Sequence, residues 1–369
     1  MPGQGLREGK EPRYQLGLQP KGFTDGKKIG KQTVVFHNRP VVLATASVAG
    51  PKEGKGPLGR YYDIVKEDTL FGERTWEKAE ARLLEEAANL AVKKANLKTQ
   101  EVDYLLAGDL LNQLIASNLA AREISIPFLG LYGACATMSE ALTLAAVLVD
   151  GRYGKYALAA ASSHHDSAER QYRYPTEMGN QRPPTAQWTV TGAGAALVGA
   201  SGEGPVITCA TVGTVVDIGL KDPNDMGSAM APAAAETIWQ HFQDTGRKPE
   251  DYDLIATGDL ASVGKGIALD LLKKSGFHLG RNYTDCGVMV YDPSQDVQAG
   301  ASGCGCSAIV FAGYLMKELA EGRIQRLLLV ATGALLSPTS YQQGESIPCI
   351  AHAVAVENQR SVKGGAGIG

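Results

Sequence analysis

The sequence predicts a layered α/β fold made of two similar halves, on three observations. A strand-and-turn motif occurs twice, as VDYLLAGDL at 102–110 and YDLIATGDL at 252–260. A longer unit also occurs twice: a cysteine-bearing turn of small residues, an apolar helix ending in Gly-Arg, and a buried strand. It runs from Gly133 in one copy and from Gly303 in the other. The strands, such as VVLATASVA and RLLLVATG, are short apolar runs without strict alternation, as expected of central strands covered by helices on both faces.

Each element follows in order. Residues 74–97 place Leu83, Ala87, Leu90 and Ala91 on one side of a helix and charges on the other. The counterpart in the second half is expected at 232–246, closed by Gly246. Helices are also expected after each Gly-Asp-Leu, over 111–124 and 266–277. Counting back from Gly151-Arg152 and Gly322-Arg323, Cys135 corresponds to Cys306. The boundary between halves falls at SGEGP, giving an arm at 1–27, a first half at 28–203 and a second at 204–369. A polar, aromatic, proline-containing insert at about 165–188 reads as a functional loop.

Composition narrows the function. Net charge is −3 and no RNA or DNA motif is present, which argues against nucleic acid. No apolar run reaches membrane-spanning length, and the Gly-, Lys- and Arg-rich start lacks the apolar stretch of a signal peptide. The six cysteines are scattered, which suits free thiols, and Cys304 and Cys306 have poor zinc spacing, so no structural metal is expected.

Cys135 lies where a helix begins. The positive end of the helix dipole there would lower its thiol pKa and would also attract a ligand carboxylate. The turn GACA, the duplicated pattern and TGAGAALVGAS at 191–201 resemble the thiolase and ketoacyl synthase superfamily. The resemblance implies a thiolase-like α-β-α-β-α architecture. It also implies that Cys135 matches an acyl-accepting cysteine assisted by two second-half residues, usually histidine with histidine, asparagine or cysteine. The chain departs from this pattern. Gly258-Asp259-Leu260 stands where the histidine usually follows its strand, and GASGCGCSA at 300–308 offers Ser302, Cys304 and Cys306 but no asparagine. Without a base and an oxyanion donor, acyl chemistry loses its support.

The departures resemble one family. GKQTVVF, AGPKEGKGPLG, AGDLLNQ, SSHHDSAERQYRYPTE, MGSAMAPAAAETI, ATGALLSPTS and ESIPCIAHAV, spread over about 28–357, are similar to the stage V sporulation protein AD family. That resemblance implies binding of dipicolinic acid (pyridine-2,6-dicarboxylate), free or as its calcium chelate, without catalysis and without a cofactor. It implies uptake into the developing spore alongside other stage V sporulation A proteins, peripheral to the spore inner membrane, and a homodimer is compatible with the superfamily. An acyltransferase using Cys135 with His352 as base, and a purely structural assembly subunit, are the alternatives.

A flat dianion needs fixed donors and a positive field. Arg170 and Arg173 in the insert would grip a carboxylate, or make surface ion pairs. Tyr172 and Tyr174 would stack on the ring, or pack the loop. Asp109 and Asp259 would complete a calcium shell, or cap the helices that follow. His164 and His165 follow a strand end and are candidate donors. Ser302 and Cys304 lie in the second small-residue turn, and His352 in the last strand is the remaining candidate base.

Overall fold

The computed structural model describes residues 27–172 and 182–359. The first half contains β1 (Lys28–Ile29), β2 (Thr33–Val35), β3 (Val41–Ala49), the one-turn α1 (Pro51–Gly54), β4 (Ile64–Val65), α2 (Trp76–Lys94) and β5 (Tyr104–Gly108). It continues through α3 (Ile115–Ile124), β6 (Phe128–Gly130), α4 (Thr137–Asp150), β7 (Tyr156–Ser163), α5 (His165–Tyr172), β8 (Gln187–Thr189) and β9 (Gly192–Gly199). The second half holds β10 (Val206–Val212), α6 (Met226–Thr245), β11 (Leu254–Thr257), α7 (Ala261–Lys274), β12 (Tyr283–Asp285) and β13 (Gly300–Ser302). After these come α8 (Cys304–Ile309), π-type turns at Val310–Leu315, α9 (Met316–Ala320), β14 (Arg326–Ala334), α10 (Pro338–Gln342) and β15 (Cys349–Glu357).

The strand order carries the duplication into space. The first half runs β6-β5-β7-β9-β3 and the second β12-β11-β14-β15-β10, and the two series join where Val206 pairs with Val41. Three apolar clusters define five layers. Leu83, Leu84 and Ala87 of α2 and Ala120 of α3 cover one face of the first series. Met138, Leu142 and Ala145 of α4, with Ile309 and Phe311, fill the space between the two series. Met230, Ile238 and Phe242 of α6, with Ala268 and Leu272 of α7, cover the far face of the second. This is the thiolase-like α-β-α-β-α arrangement, held by burial on both faces of each sheet.

Three details depart from expectation. α6 begins at Met226, six residues before Pro232, because its first turns are small and buried against α7. Cβ atoms added at Gly227 and Gly264 would lie 2.6 Å from the Leu260 carbonyl and 2.3 Å from the Gly227 carbonyl, so the two helices touch backbone to backbone. That packing overrides the helix-stop signal of the proline. The insert does not start as a loop: α5 occupies its first eight residues, and β8 near its end pairs in parallel with β13 of the other half, Ala301 opposite Trp188. Finally, a left-handed residue precedes each sulfur-bearing turn, Ala134 (φ 48°) and Gly303 (φ 100°). By that marker Cys304, not Cys306, is the counterpart of Cys135; the π-type turns lengthen the second-half helix and displace the count from Gly-Arg.

Two glycines of one helix should respond oppositely. Gly264→Ala pushes a methyl into the α6 backbone and should cost roughly 1–3 kcal/mol in urea unfolding. Gly266→Ala, where an added Cβ meets nothing within 4 Å, should stabilise by up to about 1 kcal/mol.

Candidate functional site

The turn that carries Cys135 is pinned by its neighbour. The Thr137 hydroxyl donates to the Ala134 carbonyl (2.6 Å) and accepts from the Gly133 amide (3.3 Å), closing a 3-10 turn that leads into α4. The left-handed Ala134 is an uncommon conformation for a residue with a side chain, of the kind that collects at functional sites. Cys135 is 5% exposed.

The second half answers with Asp259, just past the end of β11. Its Oδ1 accepts from the Thr332 hydroxyl of β14 (2.7 Å), and its Oδ2 from the Gly303 amide (2.9 Å) and the Ser302 hydroxyl (3.2 Å). The Cys135 thiol lies close enough to this carboxyl and to the Gly303 amide for both to act on its ionisation. Gly303 must be glycine here. Its φ is left-handed, and a Cβ would lie 2.8 Å from Ser163 Oγ. The β8–β13 pairing sets this turn, and Gln187 of β8 donates to the Asp259 carbonyl (2.6 Å).

The electrostatics correct the expectation of an activated thiolate. Burial pushes the Cys135 thiol well above the usual range, and the charges of Asp259 and Cys304 push the same way; the Gly303 amide opposes them. Desolvation and a carboxylate neighbour therefore outweigh the helix dipole. Burial raises Asp259 to about 6, against the Thr332 hydroxyl, the Cys135 thiol and the Gly303 amide.

Cys304 donates to the Ser162 carbonyl (2.8 Å) and is likewise held protonated by burial, with Glu80, Asp109 and Asp259 adding to the effect. Around these sulfurs stand two tyrosines. The Tyr132 hydroxyl donates to the Leu336 carbonyl (3.3 Å) and is pushed up to about 12 by burial, and Cys135 is among the groups acting on both Tyr132 and Tyr172. Tyr132 is 44% exposed, so this end of the cluster opens to solvent.

The other predicted residues are spent differently. Asp109 accepts from Leu111 N (2.8 Å), Ser117 N (2.7 Å) and Ser117 Oγ (2.6 Å), and so caps α3. His164 accepts at Nδ1 from Asp166 N (3.2 Å), which leaves Nε2 to donate to the Thr69 carbonyl (2.7 Å); burial keeps it neutral. His165 stacks on Trp188 at 3.8 Å, with Glu169 3.9 Å from its Nδ1. Arg170 pairs with Glu77 and lies over Trp76. Arg173 and Tyr174 lie outside the described residues. His352 accepts at Nδ1 from Gly213 N (3.2 Å), and burial lowers it to about 4; the position beside the thiol is held by Asp259.

Residues missed from sequence were Glu80, Tyr132 and Thr332. Glu80 is fully buried, accepts from Ser162 Oγ (3.2 Å) and Ser167 Oγ (3.0 Å), and is raised well above the carboxylate range by burial and by Asp109. One signal was available: Glu80 lies three residues before Leu83 and seven before Ala87, on the apolar face of α2. Among the described residues no group of three or more His, Cys, Asp or Glu side chains is arranged to hold a metal ion, and no helix is long and apolar enough to cross a membrane.

Residues 30–357 match the family profile of stage V sporulation protein AD. The chain is 52% identical over 331 residues to stage V sporulation protein AD of Bacillus subtilis (strain 168), covering 90% of this chain and 98% of that one. The chain belongs to the stage V sporulation protein AD family. Its fold is shared with 3-oxoacyl-[acyl-carrier-protein] synthase III of Aquifex aeolicus VF5 (TM-score 0.53, 15% identity, 86% of this chain and 99% of that one). It is shared as well with AbyA1, a tetronic acid condensing enzyme (TM-score 0.55, 17% identity, 86% and 100%), and with cerulenin-bound OleA of Xanthomonas campestris (TM-score 0.55, 18% identity, 87% and 97%). At these identities the likeness concerns the fold alone, while the family membership places the chain in sporulation.

Cys135 should be a slow thiol. At pH 8, peptide mapping after iodoacetamide should find it alkylated at least about tenfold more slowly than free cysteine, since each unit of raised pKa removes about tenfold of the thiolate. Asp259→Asn removes the adjacent charge and should speed that one site.

Proposed function

We propose that this family member binds dipicolinate, free or as its calcium chelate, beside Cys135 and the Ser302–Gly303 turn, and does not turn it over. The observation that carries the reading is the Asp259 carboxyl, which acts on the Cys135 thiol and is held by the Thr332, Ser302 and Gly303 donors. A condensing cysteine must surrender its proton to a base. Here the neighbour is a carboxyl near 6, and the thiol lies well above its ordinary range. The carboxyl ionises before the thiol, and the proton stays on sulfur. The thiol is therefore a neutral donor and packing group rather than a nucleophile.

What remains suits a flat, rigid ligand with carboxylates on either side of a ring nitrogen. The Ser302 hydroxyl and Gly303 amide offer donors on one side. Tyr132 and Tyr172 offer phenol hydroxyls and aromatic faces on the other. The narrowness of a site built from small residues favours a planar occupant. Bound in this way, the chain serves dipicolinate uptake into the developing spore, docked at the spore inner membrane on other stage V sporulation A proteins that span it.

Calorimetry tests this directly. Dipicolinate should bind with a micromolar dissociation constant, about −8 kcal/mol. Ser302→Ala and Tyr172→Phe should each weaken binding by roughly 1 kcal/mol or more, and isophthalate, which lacks the ring nitrogen, should bind less well. Release of coenzyme A in a burst from an acyl-CoA would overturn the non-catalytic reading. Absence of dipicolinate binding would leave an assembly role.

The chain also acts as a homodimer through the open edge of the first-half sheet. β6 is hydrogen-bonded on one side by β5 and presents Leu129, 45% exposed, with Ile115 exposed nearby on α3. Sedimentation should report a dimer that Leu129→Arg converts to monomer without loss of fold.

A further inference from the structure

We propose that the loop after β10 and the short helix α10 form a docking surface for a basic, aliphatic segment of a membrane-spanning protein. This rests on the membrane docking proposed above and assigns it to one face of the chain. Single exposed apolar side chains are ordinary on a protein surface. Here three come together: Val215 is 55% exposed, Ile218 53% and Tyr341 49%.

The backbone holds them in place. Val216 and Cys349 exchange two amide-to-carbonyl bonds (2.8 Å each), and the Ile347 amide donates to the Leu220 carbonyl (2.8 Å). The Ser346 hydroxyl donates to Asp217 Oδ2 (2.6 Å). Lys221 Nζ donates to the Gly344 carbonyl (2.6 Å), and the Gly344 amide to the Tyr341 carbonyl (2.9 Å). The loop 213–221 is thereby fixed along 344–349, the segment that directly follows α10. The apolar face is preformed, so a partner meets it without first ordering the loop.

The charges around this face have one sign. Asp217 precedes Ile218, Asp222 follows Lys221, and Glu345 follows Gly344. Glu236 of α6 accepts from the Thr214 hydroxyl, next to Val215 (3.0 Å). All four acids are exposed, and none makes an ion pair among the described residues. Lys221 is the one cation in these segments. Four carboxylates therefore stand against one ammonium.

An apolar centre with an acidic rim selects its occupant. The carboxylates repel the anionic surface of a lipid leaflet. A second copy in a symmetric pairing would bring the same acids to the contact. A segment that carries lysine or arginine among aliphatic residues satisfies both the centre and the rim. Segments of that composition flank the spans of membrane proteins.

The test is fluorescence anisotropy of a labelled helical peptide of leucine and lysine, titrated with the full chain. The peptide should bind, and its affinity should fall as salt rises from about 0.05 M to about 0.5 M. A leucine–glutamate peptide of the same spacing should not bind. Ile218→Lys and Glu345→Lys should each weaken binding about tenfold. Tyr153→Lys, at a first-half tyrosine 71% exposed, should leave it unchanged. All three positions are exposed, so the variants should keep the fold, which circular dichroism checks. No binding of the basic peptide, equal binding of the acidic one, or binding that Ile218→Lys leaves intact overturns the inference. So does flotation with phosphatidylglycerol vesicles that Ile218→Lys abolishes, since lipid is then the occupant. A dimer that Ile218→Lys converts to monomer overturns it too, since a second copy is then the occupant. Dipicolinate calorimetry reads the ligand-binding proposal separately, so either can fail while the other stands.

Discussion

The Cys135 thiol and the Asp259 carboxyl meet in a buried space between the two halves, and the rest of the site is arranged around what that contact permits. Burial and the Asp259 carboxylate both push the Cys135 thiol up, so the two groups are not charged together. The carboxyl wins, because three donors, from Thr332, Ser302 and Gly303, are aimed at it. Holding those donors in place requires the β8–β13 pairing, the left-handed Gly303 and the end of β14.

The duplication explains how one of two similar aspartates became available for this. Asp109 and Asp259 end the same strand motif, and in the first half the aspartate caps the following helix. In the second half that work has passed to Asp285, which holds the first amides of α7 from the neighbouring strand. α7 begins two residues after Asp259, whereas α3 begins six residues after Asp109, beyond a turn in which Gln113 and Leu114 are left-handed. A short change in the connection thus relieves Asp259 of its capping role and turns it toward Cys135.

The repeat, the buried strands and the helices were legible in sequence because they are local patterns of apolar spacing. Leu83, Ala87 and Leu90 announce α2 wherever the chain places it. The small-residue turn that carries Cys135 and the apolar helix after it were legible too, and the structure buries the sulfur in that turn. What surrounds it was not, because partners 124 residues apart in sequence leave no mark of their pairing. Asp259 read as a cap or a calcium ligand. The sulfur read as a thiolate, since the helix end is visible in sequence and the desolvation is not. His164 and His165 follow a strand end as pocket residues do, yet local amides and Trp188 absorb them. Pro232 read as a helix start because the contact between Gly227 and Gly264 belongs to the tertiary structure alone.

The acidity of the cluster bears on what kind of occupant it tolerates. Glu80, Asp109 and Asp259 are buried, burial raises all three, and hydroxyl donors such as Ser117, Ser162, Ser167 and Thr332 hold them. A site of this kind does not attract an anion by field alone, as a cluster of arginines would. It holds one only if charge is cancelled locally, by a proton on a carboxyl or by a cation that arrives with the ligand.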